Sequence, residues 1–238
     1  MNIFGIGAVS VKQRYDVSAF VVNTTFAQEC GRTSFSATPN YAMQFIVGGQ
    51  DASPGDFPWQ VGLIENGYLI CGGTYVIGTG GVVKVITAAH CLSSKNPNPN
   101  NYQVVFGMHQ TNVVGTRLIV RAVTIKVHTS YNSNTMANDI AIIAFGTLMP
   151  SQLPINTFPA CRPTRTYIHN EDAVVSGWGT TSEGGSSSSV LKYVWKPLLS
   201  LAACELTGNK GSLDATMLCA GATGKDACQA PYNYNPKS

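Results

Sequence analysis

Two side chains in this sequence have types and surroundings suited to proton transfer, and a third residue adds a carboxylate. His90 lies in Thr87-Ala88-Ala89-His90-Cys91, directly after the β-rich run Val82–Thr87. An imidazole titrates near neutrality, and one held at a strand end between small residues and a cysteine has the fixed geometry that a general base requires. Asp139 opens the apolar run Ile140–Ile143. A carboxylate beside such a run is expected to be buried, which is costly unless a donor meets it. An imidazole N–H is a natural partner, and the pairing fixes the tautomer that a base needs. Asp226 sits in Gly224-Lys225-Asp226-Ala227-Cys228-Gln229. Taken singly, His90 also fits a structural histidine, Asp139 a turn cap at a strand start, and Asp226 an ordinary loop acid.

The elements that would hold these residues read as short strands. Runs rich in Val, Ile, Thr and aromatics recur at Gln60–Ile64, Val82–Thr87, Gln103–Phe106, Leu118–Val127, Ile140–Phe145 and Ala173–Ser176, separated by Gly, Pro, Asn and Ser clusters. Capped stretches of helical period are nearly absent, so the pattern predicts an all-β sandwich or barrel. Ser93–Asn101 and Thr180–Ser189 are polar and are expected as surface loops. Leu148–Pro163 carries four prolines and reads as the connector between two halves.

Composition narrows the function classes. Charged residues are 11% of the 238, and glycines number 24, which argues against a long helix, a coiled coil or an acidic disordered chain. The net charge of +3 is spread along the chain, so no nucleic-acid partner is expected. Apolar runs fall well short of the ~18 residues that a membrane helix needs, and no membrane partner is expected. Seven cysteines suggest an oxidising, extracellular compartment, and an odd number leaves at least one thiol without an intramolecular partner. The N-terminus makes a poor secretory signal. Ile3–Val11 is apolar and short, no positive side chain precedes it, and Lys12, Arg14 and Asp16 break the apolar character immediately after it. Asn23-Thr24-Thr25 is a glycosylation sequon for a chain entering the secretory path.

In order along the chain come Ile46-Val47-Gly48-Gly49, Pro58-Trp59-Gln60-Val61, Cys71-Gly72-Gly73, Thr87–Cys91, Asp139–Ile143, Ser176-Gly177-Trp178-Gly179 and Asp226–Gln229. This succession resembles the chymotrypsin/trypsin family of serine proteases, over about residues 30–229. The resemblance implies a fold of two six-stranded β-barrels with the site in the cleft between them. It implies a protease domain over 46–229, with the first barrel at about 46–150 and a partial second barrel at about 165–229. Residues 1–45 would then be an N-terminal, propeptide-like region and 230–238 a tail outside the family pattern. By the same resemblance His90 is the general base and Asp139 its orienting carboxylate. Asp226 lies at the floor of a pocket selecting Arg or Lys, and the amino group of Ile46 is freed by activation cleavage. It pairs Cys71 with Cys91, Cys204 with Cys219 and Cys30 with Cys161. The implied partner is a polypeptide substrate or a protease inhibitor, and no cofactor is implied.

The sequence departs from the family at places that matter. Where Gly-Asp-Ser-Gly-Gly is expected after Cys228-Gln229, the chain reads Ala230-Pro231-Tyr232-Asn233-Tyr234. Tyr232 stands at the nucleophile's place. Pro231 replaces the acid that would pair with the Ile46 amino group, and it removes an amide donor. The expectation is a chain truncated before its nucleophilic serine, with the second barrel incomplete, Cys228 unpaired, and no catalysis. The alternative is a non-catalytic binding protein. Phe45 precedes Ile46 where trypsin-type activation needs Arg or Lys. The loop Gly107–Arg117 has no acidic residue, so a calcium site is unsupported and no metal is expected.

Overall fold

The computed structural model describes residues 7–10 (backbone), 30–36, 49–92, 94–113, 115, 117–162, 171–180, 186–206 and 213–220. Ile46, Asp226, Cys228, Pro231 and Tyr232 lie outside the described residues, as does the sequon.

The first half is one antiparallel sheet. Its strands are β3 (Gln60–Glu65), β4 (Tyr68–Ile77), β5 (Val83–Thr87), β6 (Tyr102–Phe106), β7 (Leu118–Arg121), β8 (Thr124–Val127) and β9 (Ala141–Ala144), while β1 (Gly7–Ser10) and β2 (Gln50–Asp51) join the other sheet. The spatial order is β7-β6-β3-β4-β5-β9-β8. The two edges, β7 and β8, are separated in sequence by Ala122 and Val123 alone, so the sheet must curl until its edges meet. What the apolar run Leu118–Val127 predicts as one strand is one path bent at this corner, with Ala122 buried inside. Counted that way the curled sheet has the six strands expected of a barrel, and closure leaves little edge exposed.

Alternation along each strand builds the core. Val83, Val85 and Thr87 of β5 point inward while Lys84 and Ile86 are half-exposed. Tyr75, Tyr102, Val104, Phe106 and Ile143 are fully buried, and Phe106 meets Tyr75 and Phe145 edge-on. Gly73 is required by close approach. A Cβ there would lie 2.7 Å from Val85 Cγ1 and 3.0 Å from the Ile86 carbonyl oxygen.

The second half, among the described residues, is a five-stranded antiparallel sheet. Strand β10 (Asp172–Gly177) pairs with β1 on one side and β11 (Lys192–Leu199) on the other, and β11 also pairs with β2 and β12 (Cys219–Ala220). A single helical turn, α1 (Leu201–Cys204), begins at Ser200, whose hydroxyl accepts from the Ala203 N–H. The pairing of Gly7–Ser10 with Val174–Gly177 gives part of the N-terminal region a place in this sheet.

Two buried polar contacts join the halves. The Ser176 hydroxyl donates to Gln60 Oε1 at 2.8 Å, with both residues almost wholly enclosed. Trp178, fully buried, donates its indole N–H to the His109 carbonyl at 3.0 Å. Residues 30–36 are fastened to this body as well. Cys30 is bonded to Cys161, Thr33 donates to the Asp56 carbonyl, and Phe35 packs on Phe57, Tyr193 and Trp195.

Candidate active site

Strand register brings His90 and Asp139 together across 49 residues of sequence. In the antiparallel β5–β9 pair, Thr87 lies opposite Ala141. The chain leaving β5 and the chain entering β9 therefore occupy the same end of the sheet. His90 is three residues past Thr87, in the short 3-10 turn Ala89–Cys91, and Asp139 is two before Ala141. Thr87 anchors the end of β5 by donating its hydroxyl to the Gly72 carbonyl at 2.8 Å. Cys91 is bonded to Cys71 on β4, which flanks β5 on its other side, with Cα atoms 6.1 Å apart. The turn carrying His90 is thus tied on two sides.

Asp139 meets His90 with both oxygens. Oδ1 accepts the His90 backbone N–H at 2.8 Å, and Oδ2 lies 2.7 Å from His90 Nδ1. A carboxylate only accepts, so the ring proton in this pair resides on Nδ1 and the Nε2 lone pair becomes the basic site. The side chains retain 23% and 14% exposure, enough for the ring to be reached from solvent while the carboxylate is screened. Such a pair can take a proton at Nε2, with the resulting imidazolium stabilised by the adjacent carboxylate.

The backbone before Asp139 is unusual. Met136 and Asn138 both have positive φ, 58° and 56°, in the left-handed region where Asn is tolerated and Met is strained. The bend is held by Asn138, whose Nδ2 donates to the Ser130 carbonyl and whose backbone N–H donates to Thr216 Oγ1 at 2.9 Å. This second contact reaches into the segment leading to β12, so the carboxylate is positioned by both halves. Tyr131 stands close enough that its phenol pKa is raised, by burial first and by the Asp139 charge second. Neither Thr216 nor Tyr131 carries a sequence signal that would single it out, because both are brought near Asp139 by the fold alone.

The other disulfides join Cys204 to Cys219, fastening α1 to β12, and Cys30 to Cys161. Cys71, His90 and Cys91 cluster within the reach of a metal ion. The two sulfurs are bonded to each other, however, and offer no thiolate for a metal. The arrangement at His90 is an acid–base pair with a covalent brace.

Comparison with known proteins agrees with this geometry. A family model described as Trypsin matches residues 46–230. The chain is 36% identical over 187 residues to trypsin alpha of Drosophila melanogaster, covering 77% of this chain and 69% of that protein. It is 37% identical to trypsin beta of Drosophila erecta, covering 77% and 70%, and 34% identical to trypsin alpha-4 of Lucilia cuprina, covering 77% and 69%. With the curled first sheet, the motif order and these similarities together, the chain belongs to the trypsin family of serine proteases.

Proposed function

We propose that the chain as written is a trypsin-family protein that keeps the family's base and orienting carboxylate yet does not hydrolyse peptide bonds. The observation that carries this reading is the assembled His90–Asp139 pair, at 2.7 and 2.8 Å, in a sequence whose Cys228-Gln229 is followed by Ala230-Pro231-Tyr232. Acyl transfer by this architecture needs an aliphatic hydroxyl that gives its proton to the imidazole while its oxygen attacks the carbonyl carbon. It also needs backbone N–H donors facing the oxyanion that forms. Tyr232 supplies a phenol, and Pro231 has no N–H to supply. Triad losses alone leave a residual rate of about 10³- to 10⁴-fold over water when the oxyanion donors survive. Here the nucleophile is lost, and Pro231 both rigidifies the loop that would present the donors and removes the acid that would hold it through the Ile46 amino group, so that residue of activity is not expected. In this reading Asp226 supports recognition of Arg or Lys, and Ile46 is the activation terminus, left without its acidic partner.

The test is hydrolysis of an arginyl ester by the purified chain beside its His90→Ala variant. Equal, background rates are expected, and a serine-reactive fluorophosphonate should leave the chain unlabelled. Faster turnover by the parent than by His90→Ala, with a labelled serine, would refute the proposal.

A second reading, favoured by the well-packed first sheet, is a non-catalytic binding protein that holds a polypeptide or a protease inhibitor. Calorimetric titration of the monomeric chain with a polypeptide serine-protease inhibitor tests it, and saturable binding is the expected result. An insoluble product with exchanged disulfides would count against it. Three disulfides support an oxidising, extracellular setting for either reading. No described helix is long and apolar enough to cross a membrane.

A further inference from the structure

Cys71 Sγ, Cys91 Sγ and one ring nitrogen of His90 lie within 4.8 Å of one another. Among the described residues, no other group of three His, Cys, Asp or Glu side chains gathers so closely. In the oxidised chain the two sulfurs are bonded to each other. Reduction changes what they offer. A dithiol that gives two electrons and two protons to this bond is oxidised to its own disulfide, and Cys71 and Cys91 become thiols.

The imidazole is already oriented for a metal. Its Nδ1 faces Asp139 Oδ2 at 2.7 Å, and its Nε2 lies 3.7 Å from Cys91 Sγ. A tetrahedral zinc ion with bonds of about 2.3 Å to sulfur and about 2.0–2.1 Å to nitrogen sets those two ligand atoms about 3.6 Å apart. A metal-bound histidine donates its other ring N–H to a carboxylate or carbonyl, which fixes the tautomer and raises ligand basicity. Asp139 stands in that place. At the same bond lengths the two sulfurs need about 3.8 Å between them. Their Cα atoms are 6.1 Å apart, on β4 and on the turn after β5, so rotation of the two side chains supplies that separation.

Charge and access fit as well. Cys71 and Cys91 are only 6% and 8% exposed. Two bare thiolates there would be costly, whereas two thiolates around one divalent cation are neutral. The His90 side chain keeps 23% exposure, which gives an entry path and leaves the fourth position to water. Thiolate and imidazole ligands select zinc over the harder magnesium and calcium ions.

We propose that the chain, once Cys71 and Cys91 are reduced, binds one zinc ion through both sulfurs and His90 Nε2, with Asp139 holding the imidazole. Each thiol gives its proton to solvent as its bond to zinc forms. The ion occupies the lone pair that otherwise accepts a proton, so metal and proton compete for one atom. The Cys71–Cys91 bond decides whether the metal can enter. None of this depends on whether the chain hydrolyses peptides.

The experiment is titration of the full chain with cobalt(II), a coloured probe for tetrahedral zinc sites, with and without tris(2-carboxyethyl)phosphine. The phosphine reduces the disulfide and becomes its oxide with oxygen taken from water. The reduced parent is expected to show thiolate-to-cobalt charge transfer and intense visible bands that saturate at one equivalent and are erased by zinc. The oxidised parent should show neither. Asp139→Asn should weaken cobalt by about tenfold, and His90→Ala, which deletes a ligand, by about 100-fold. The double variant Cys71→Ser, Cys91→Ser should lose the charge transfer, and Cys204→Ser, Cys219→Ser should keep it. Circular dichroism under the same reducing conditions shows that the parent and each variant are folded. No saturable charge transfer in the reduced parent, undiminished affinity in folded His90→Ala, or an equal signal from the chain in urea would each overturn the proposal, the last assigning the metal to unfolded thiols.

Discussion

Tyr75 shows how one buried atom makes stability depend on pH. Its side chain is fully enclosed in the first sheet, and its hydroxyl has no partner. Burial pushes its pKa from 10.0 to about 12, because the phenolate would be charged in an apolar surround. The folded state therefore holds this proton longer than the unfolded chain. The associated stability is whole below pH 10.0 and is lost as pH climbs towards 12. Tyr75→Phe removes both the titration and the unpaired hydroxyl. It is expected to stabilise the protein at neutral pH by up to about 1 kcal/mol and to flatten the alkaline decline. Urea unfolding at neutral and alkaline pH measures both, and an alkaline decline as steep in the variant would assign it to another group. His90 and Asp139 were legible in the sequence as the ends of two strand-like runs. Tyr75, an aromatic in a run containing two glycines, carried no such mark.

Strand β4 shows what local sequence conceals at the next scale. Gly72 and Gly73 weaken its appearance as a strand, and Pro197 does the same for β11, so neither stands out among the apolar runs. In the fold Gly73 lets β4 lie close to β5, and Pro197 sits in β11 opposite Asp172. Gly73→Ala would drive a methyl into Val85 Cγ1, and overpacking of this kind costs about 1–3 kcal/mol. Part of that loss should return in the double variant with Val85→Ala, since the two side chains compete for one volume. Additive losses in a double-mutant cycle of denaturant midpoints would show that the clash lies with the Ile86 carbonyl instead. The N-terminal strand β1 is a second case. Deleting residues 1–10 is expected to raise hydrogen exchange at the β10 amides that face it, and unchanged exchange would mean that the pairing contributes little to protecting that edge.

At the scale of the molecule, the two halves are joined by contacts between residues very far apart in sequence. Ser176→Ala leaves Gln60 Oε1 buried without its donor. A loss of about 1–3 kcal/mol is expected in chemical denaturation, and a loss near zero would indicate that Gln60 finds another partner. Removing the Cys30–Cys161 bond, which spans 131 residues, should cost about 3–5 kcal/mol through the entropy regained by the unfolded chain. Motif order was enough to determine the family, the all-β class, and the residue types able to move a proton, because short-range patterns of strand, turn and cysteine neighbourhood are written locally. Tertiary structure alone decided that Asn138 reaches Thr216 and that Trp178 and Gln60 stitch the sheets. Those relations depend on sheet curvature and strand register, which arise from packing summed over the whole core and leave no trace in the spacing of any one segment.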